Sequence, residues 1–120
     1  MRDLPRIRDM SRNEAMRRSL AKIQSDFYLT TLLEIQEREK HLKDLKKNDM
    51  EAYVRMRVDI DSFRKDLRAF AEKRAEKILI LGLFDVRDPK VKLTEEEEIL
   101  KKKTTDLVAE FMLSIGAEVK

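Results

Sequence analysis

Apolar residues between positions 53 and 84 recur at alternating steps of three and four: Tyr53, Met56, Ile60, Phe63, Leu67 and Phe70, then Ile78, Leu81 and Phe84. A heptad-like seam of this kind keeps to one side of an α-helix and packs against other helices. It predicts a single helix from Met50 to Asp85, which at 1.5 Å per residue extends on the order of 50 Å. A compact chain of this length has a radius of gyration of only about 14 Å, so such a helix protrudes or lies along something else. Its last stretch, Ile78-Leu79-Ile80-Leu81-Gly82-Leu83-Phe84, is apolar on every side. Seven such residues also suit a buried strand, and periodicity does not separate the two. Helix is preferred because no second segment offers a strand partner, and a lone strand leaves its backbone unpaired.

Shorter elements flank this helix. Ser11-Arg12-Asn13-Glu14 has the spacing of a capping box and predicts a first helix from Ser11 to about Ile23, preceded by a basic arm over residues 1–10. Ser25-Asp26 is a second N-cap candidate. Behind it Leu29, Leu32, Leu33, Leu42 and Leu45, with Phe27, predict a helix to Lys47 that carries Glu34–Arg38 and Glu39–Lys43 as i,i+4 pairs. Asn48-Asp49 ends it and caps the next. Asp85 to Leu93 reads as a loop because Asp88 precedes Pro89. Thr94-Glu95-Glu96-Glu97 is another capping box, opening a last helix with a buried stripe of Leu100, Leu107, Val108, Phe111 and Ile115, and Gly116 placed just past its end. The fold class expected is all-α: an antiparallel bundle of about four to five helices with one long central helix. Its core is expected at Phe27, Leu32, Ile60, Phe63, Leu67, Phe70, Leu100, Leu107 and Phe111.

Composition agrees. Of 120 residues, 42% are hydrophobic and 42% are charged, the latter well above the roughly 25% of an average chain. Two glycines and two prolines leave few turns, so most of the length lies in long elements. Cysteine is absent, which excludes disulfides, thiolate metal sites and cysteine nucleophiles. Met1-Arg2-Asp3-Leu4-Pro5 does not resemble a signal peptide, and no window approaches the roughly 18 apolar residues of a membrane span. A reducing, cytoplasmic setting is therefore expected. Two Asn and two Gln against abundant Lys, Glu and Arg favour a heat-adapted source. The net charge of +3 comes from large, nearly equal numbers of both signs, unlike the lopsided charge of a dedicated nucleic-acid binder.

The order and spacing of these elements carry a resemblance. A short basic helix is followed by Ser25-Asp26-Phe27-Tyr28 opening a helix, then by a long helix ending Arg74-Ala75-Glu76-Lys77-Ile78-Leu79. After a loop, Leu93-Thr94-Glu95-Glu96-Glu97 opens a last helix that ends near Glu110-Phe111-Met112. From about residue 11 to residue 116 the chain resembles the helical A domain of an archaeal GINS subunit, of the type in which the A domain comes first. The resemblance implies a non-catalytic scaffold that pairs with sister GINS subunits, as a homo- or hetero-tetramer, through helical A domains. It also implies partnership with the MCM helicase and a RecJ-like protein at the replication fork. In that type a small β-rich B domain follows the A domain. Residues 117–120 form only a tail, so contacts that the family assigns to the B domain do not carry over.

Candidate chemistry is sparse. The all-round apolar run needs more cover than three other helices supply, which points to a subunit interface at Ile78, Leu79, Leu81, Leu83, Phe84, Asp85 and Arg87. Ordinary monomer core is the rival reading for the apolar members. An exposed Asp85–Arg87 pair would add only ~0–1 kcal/mol, giving specificity more than affinity. The N-terminal arginines, notably Arg12, Arg17 and Arg18, have the charge to touch nucleic-acid phosphates, but Asp3, Asp9 and Glu14 interrupt them. His41 stands alone among charged residues and receives no role. Glu95 to Glu98 splay around their helix and are explained by capping, so no catalytic, metal or cofactor site is expected.

Overall fold

The computed structural model describes residues 4–117. Arg2, Asp3 and the tail beyond Ala117 lie outside the described residues. The element order is α1 (Ile7–Met16), α2 (Phe27–Asn48), α3 (Met50–Leu83) and α4 (Glu95–Ser114), with no strand among the described residues. The all-α class and the long central helix expected from the seam are both present. At 34 residues α3 spans roughly 50 Å. It draws the molecule out to 65 × 29 × 19 Å with a radius of gyration of 18.7 Å.

All three shorter helices pack on α3. Helices α2 and α3 form an antiparallel hairpin whose turn is a single residue. The Asp49 N–H donates to Leu45 O (2.7 Å) to close α2, and its side chain accepts from the Ala52 N–H (3.1 Å) to open α3. Helix α1 runs in the same sense as α3, because Arg8 meets Asp66 while Glu14 meets Arg74 and Lys77. Helix α4 also runs with α3: Arg74 pairs with Glu97, and Gly82 lies against Thr104 and Thr105. The antiparallel expectation thus holds for the hairpin, and the returning loop makes α4 parallel to the helix before it.

The core is built where the seam placed it. Ile60, Phe63, Phe70 and Ile78 are buried, with Tyr53, Met56 and Leu67 packed partly buried against the cluster. From α2 it receives Phe27, Ile35 and Leu42, and the Phe27 ring meets Phe70 edge-on at 5.6 Å between centroids. From α1 it receives Ile7.

Several expectations are corrected. Leu32 is 50% exposed, and Leu29 and Leu33 are exposed beside it. Leu29 and Leu33 lie nearly half a turn, and Leu32 about a quarter turn, away from the stripe of Phe27, Thr31, Ile35 and Leu42 that α2 buries. Helix α2 therefore has two apolar faces, and the one carrying the large aromatic ring wins the core. Leu107 and Phe111, expected in the core, are 64% and 56% exposed, and Ile115 is exposed as well. Thr105 already lies beside the end of α3, so residues 106–114 carry α4 roughly 13 Å further. Leu100 is half-buried. The first helix starts earlier than expected, at Ile7, so Ser11 and Glu14 are interior to it, both are buried, and neither caps anything. Ile7 enters the core, which draws part of the presumed arm into the helix.

Both C-termini close in the same way. At α4 the Ala117 N–H donates to Met112 O (2.9 Å) and the Gly116 N–H to Leu113 O (3.2 Å), with Gly116 at φ +75°. At α3 the matching bonds run from Val86 to Leu81 (2.9 Å) and from Asp85 to Gly82 (3.3 Å). Here the left-handed residue is Asp85, at φ +47°. The paired bonds are those of a Schellman motif, and aspartate tolerates the left-handed region better than most side chains. Thus α3 stops at Leu83, two residues short of the expected Asp85.

Gly82 is required by a close approach. A Cβ there would stand 2.8 Å from both the Lys101 carbonyl oxygen and the Thr104 Cβ. Gly82→Ala gains roughly 1 kcal/mol of helix propensity, but the overpacking costs about 1–3 kcal/mol. Net destabilisation, read as a lower urea midpoint at unchanged slope, is the expected outcome; a stabilised variant would show that α4 does not seat on Gly82.

Candidate functional site: an assembly surface above a buried ion cluster

Along α3 the seam residue between Phe70 and Ile78 is Arg74. Its side chain is 0% exposed. The guanidinium makes a two-pronged contact with Glu97 of α4, Nε to Oε2 at 2.6 Å and Nη2 to Oε1 at 2.9 Å. Its Nη1 donates to Glu14 Oε1 of α1 (2.9 Å) and to the Ala21 carbonyl (2.7 Å) in the segment leading to α2. The Phe70 ring lies under the guanidinium carbon at 5.8 Å.

Each anion has further partners. The Glu14 carboxylate accepts from the Ala21 N–H and from Lys77, whose ammonium also donates to Glu14 O (2.7 Å) and Ser19 O (3.0 Å). Glu97 accepts from the Thr94 N–H (3.1 Å), while the Glu97 N–H donates to Thr94 Oγ1 (3.2 Å). The capping box expected at Thr94 is therefore present. Glu97 also accepts from the Tyr28 hydroxyl of α2 at 2.8 Å. Two cations face two anions, and the cluster reaches every helix of the described chain.

The proton affinities follow this geometry. Burial acts to raise the Glu97 pKa, but the hydrogen bonds from Arg74, Thr94 and Tyr28 and the Arg74 charge outweigh it and hold the carboxyl below its ordinary value. Burial also opposes the charge on Arg74, and the bonds and charges of Glu97 and then Glu14 reverse that and raise its pKa. The Tyr28 phenol is pushed up by burial first and by the Glu97 charge second. The cluster ties α1, α2 and α4 to α3 through mutually paired ions and the Tyr28 hydroxyl. Among the described residues no group of three or more His, Asp or Glu is placed to hold a metal.

The expected interface run is split by this packing. Ile78, placed at an interface by the sequence, is 1% exposed and belongs to the chain's own core, because α4 covers its side of α3. Leu81 is half-buried at the loop. Leu79, Ile80 and Leu83 are exposed, and Phe84 is 69% exposed. Asp85 and Arg87 are exposed and line a hollow between the 85–93 loop and α4, and they form no ion pair within the described chain. The exposed end of α4 adds Leu107, Phe111, Leu113 and Ile115. Arg12, Arg17 and Arg18 are exposed; Arg17 donates to Ser19 Oγ at 3.3 Å. His41 is exposed.

Sequence reasoning missed Arg74, Lys77, Tyr28 and the buried role of Glu14. One signal was available: a charged residue at a seam position marks a buried ion that needs partners. Searches against protein-family models, curated proteins and solved structures returned no match.

Arg74→Met leaves two buried carboxylates facing each other with Lys77 as their only cation. A loss of about 3–5 kcal/mol is expected in urea denaturation, and less than 1 kcal/mol would show that the cluster is incidental. The pH dependence has a definite sign. A depressed folded-state pKa for Glu97 stabilises the fold fully above the ordinary carboxylate value of 4.5 and is lost as pH falls through the lower folded value. Glu97→Gln should be less stable at pH 7, with a flatter stability curve as pH falls below the ordinary carboxylate value of 4.5; parallel stability curves for the two proteins would refute this.

Proposed function

We propose that the chain is a non-catalytic scaffold subunit of GINS type, assembling through its helical domain with sister subunits and supporting the MCM helicase at the replication fork. The observation that carries the assembly part is the apolar surface left at one end of the molecule. Leu83 and Phe84 on α3 and Leu107, Phe111, Leu113 and Ile115 on α4 are all exposed. Large contiguous apolar patches are uncommon on monomers and mark places where another chain binds.

The total surface points the same way. It is 9395 Å², against about 6,800 Å² for a compact monomer of this mass. The excess exceeds the roughly 1,200–2,000 Å² that a standard interface removes. Leu29, Leu32 and Leu33 near the start of α2 and Met50, Val54 and Val58 near the start of α3 are further exposed apolar side chains away from that end. A scaffold with more than one partner needs more than one such face. No helix of the described chain is long and apolar enough to cross a membrane. The fork-specific part rests on the order of the sequence motifs, which the helix boundaries at Phe27, Leu83 and Thr94 respect.

Light scattering should find a dimer or tetramer at micromolar concentration. Phe84→Glu with Phe111→Glu should lower the mass to that of a monomer while helicity is retained, since both side chains are exposed in the single chain. A monomeric wild type, alone and with a sister subunit, would reject the scaffold reading. Failure of the assembled protein to bind or stimulate an MCM helicase would reject its fork assignment alone.

A further inference from the structure

The hairpin of α2 and α3 encloses an open groove of about 620 Å³ far from the apolar end of the molecule. Lys40, Lys43 and Lys46 form its α2 side and Arg57 its α3 side. Buried Leu42 and the half-buried Tyr53, whose ring packs on the hydrophobic core, form the floor. One acidic side chain lines it, Glu39, and that carboxylate is engaged by Arg64 of α3. Arg57 has an exposed partner at its outer edge, Asp61, at 3.5 Å. Although the chain as a whole is nearly charge-balanced, this groove has four cations, one of them paired at its outer edge with Asp61, against one lining anion that Arg64 already engages.

We infer that this groove binds the phosphate backbone of a nucleic-acid strand. Two observations favour that ligand over other anionic partners. The lysines step along α2 every three residues, about 4.5 Å of rise each, which suits a linear array of charges better than a single ion. Exposed apolar side chains, which a membrane surface would need for insertion, are missing from the lining, since Leu42 is buried. The site is separate from the N-terminal arginines and from the apolar end, so a strand here does not compete with a partner bound at that end.

The test is fluorescence anisotropy of the full chain with a labelled single-stranded oligothymidylate and with a matching duplex. Four phosphate contacts predict that affinity for the single strand falls about 50-fold between 50 and 200 mM salt. Lys40→Ala, Lys43→Ala and Lys46→Ala together should abolish most of that salt dependence, each contact removing about 0.7 units of slope on the single strand. These side chains are exposed and form no ion pair among the described residues, so the fold is retained, and circular dichroism with thermal melting verifies it. Alanine at Arg12, Arg17 and Arg18 should leave the slope unchanged. Several outcomes would overturn the inference: no binding at 50 mM salt, unchanged binding by the lysine variant, loss of binding in the arginine variant instead, or equal competition by polyglutamate or by vesicles of anionic lipid. Because the mass measurement above does not involve this groove, failure here leaves the scaffold reading standing, and the reverse also holds.

Discussion

The buried guanidinium of Arg74 is the constraint around which the other elements are arranged. Apolar contacts are non-directional, and on α3 they would allow α1 or α4 to slide by a turn or rotate at little cost. A fork of N–H groups holding Glu97 by two bonds and Glu14 by one does not permit this. At 10 residues α1 is too short to be stable by itself, and its attachment depends on Ile7 in the core at one end and Glu14 in the cluster at the other. Taking four charges out of water is costly, and a hydrophobic replacement of the whole group can be more stable. What the ions supply here is uniqueness of register, at the junction where every helix meets.

How much of this was legible in the sequence depends on which faces were singly apolar. The α3 seam was readable because Ile60, Phe63 and Phe70 have charged neighbours on the opposite side, so periodicity had one solution. Capping was readable at Thr94, where hydroxyl and carboxylate lie at the right offset and the preceding residues are not helical. The same offset at Ser11 misled, because Ile7 and Met10 extend the helix backwards and local spacing does not reveal that. On α2 the leucines at 29, 32 and 33 and the series Phe27, Ile35 and Leu42 each describe a valid stripe. Choosing between them requires knowing that Phe70 offers its ring to Phe27, a long-range fact. The core–surface errors at Leu32, Leu107 and Phe111 have one origin: a pattern shows that a face is apolar, not whether this chain covers it.

That ambiguity is also physically informative. A helix with two apolar faces, α2, and a helix whose last turns are apolar but unpacked, α4, are poor solutions for an isolated monomer. They are good solutions for a chain whose second set of contacts comes from outside. The high charge is compatible with exposed apolar faces, since ionic side chains between them keep a chain dispersed in water.

The ion cluster and the apolar end are mechanically connected. Glu97 fixes the rotation of α4 about its own axis, and Gly82 fixes its distance from α3, one near the start of the helix and the other at Thr104 and Thr105. Two such points determine the direction of a rigid rod. Beyond Thr105 nothing on α3 guides the helix, yet Leu107, Phe111 and Ile115 emerge at defined angles because the helix is continuous through to Ser114. The Schellman closure at Gly116 then satisfies the terminal carbonyls, which limits fraying of these turns. A contact surface prepared in this way presents its side chains with little ordering left to do on binding. Under the proposed scaffold role, loosening the buried cluster would act on assembly through the aim of α4, at a distance from the exposed apolar side chains near its end.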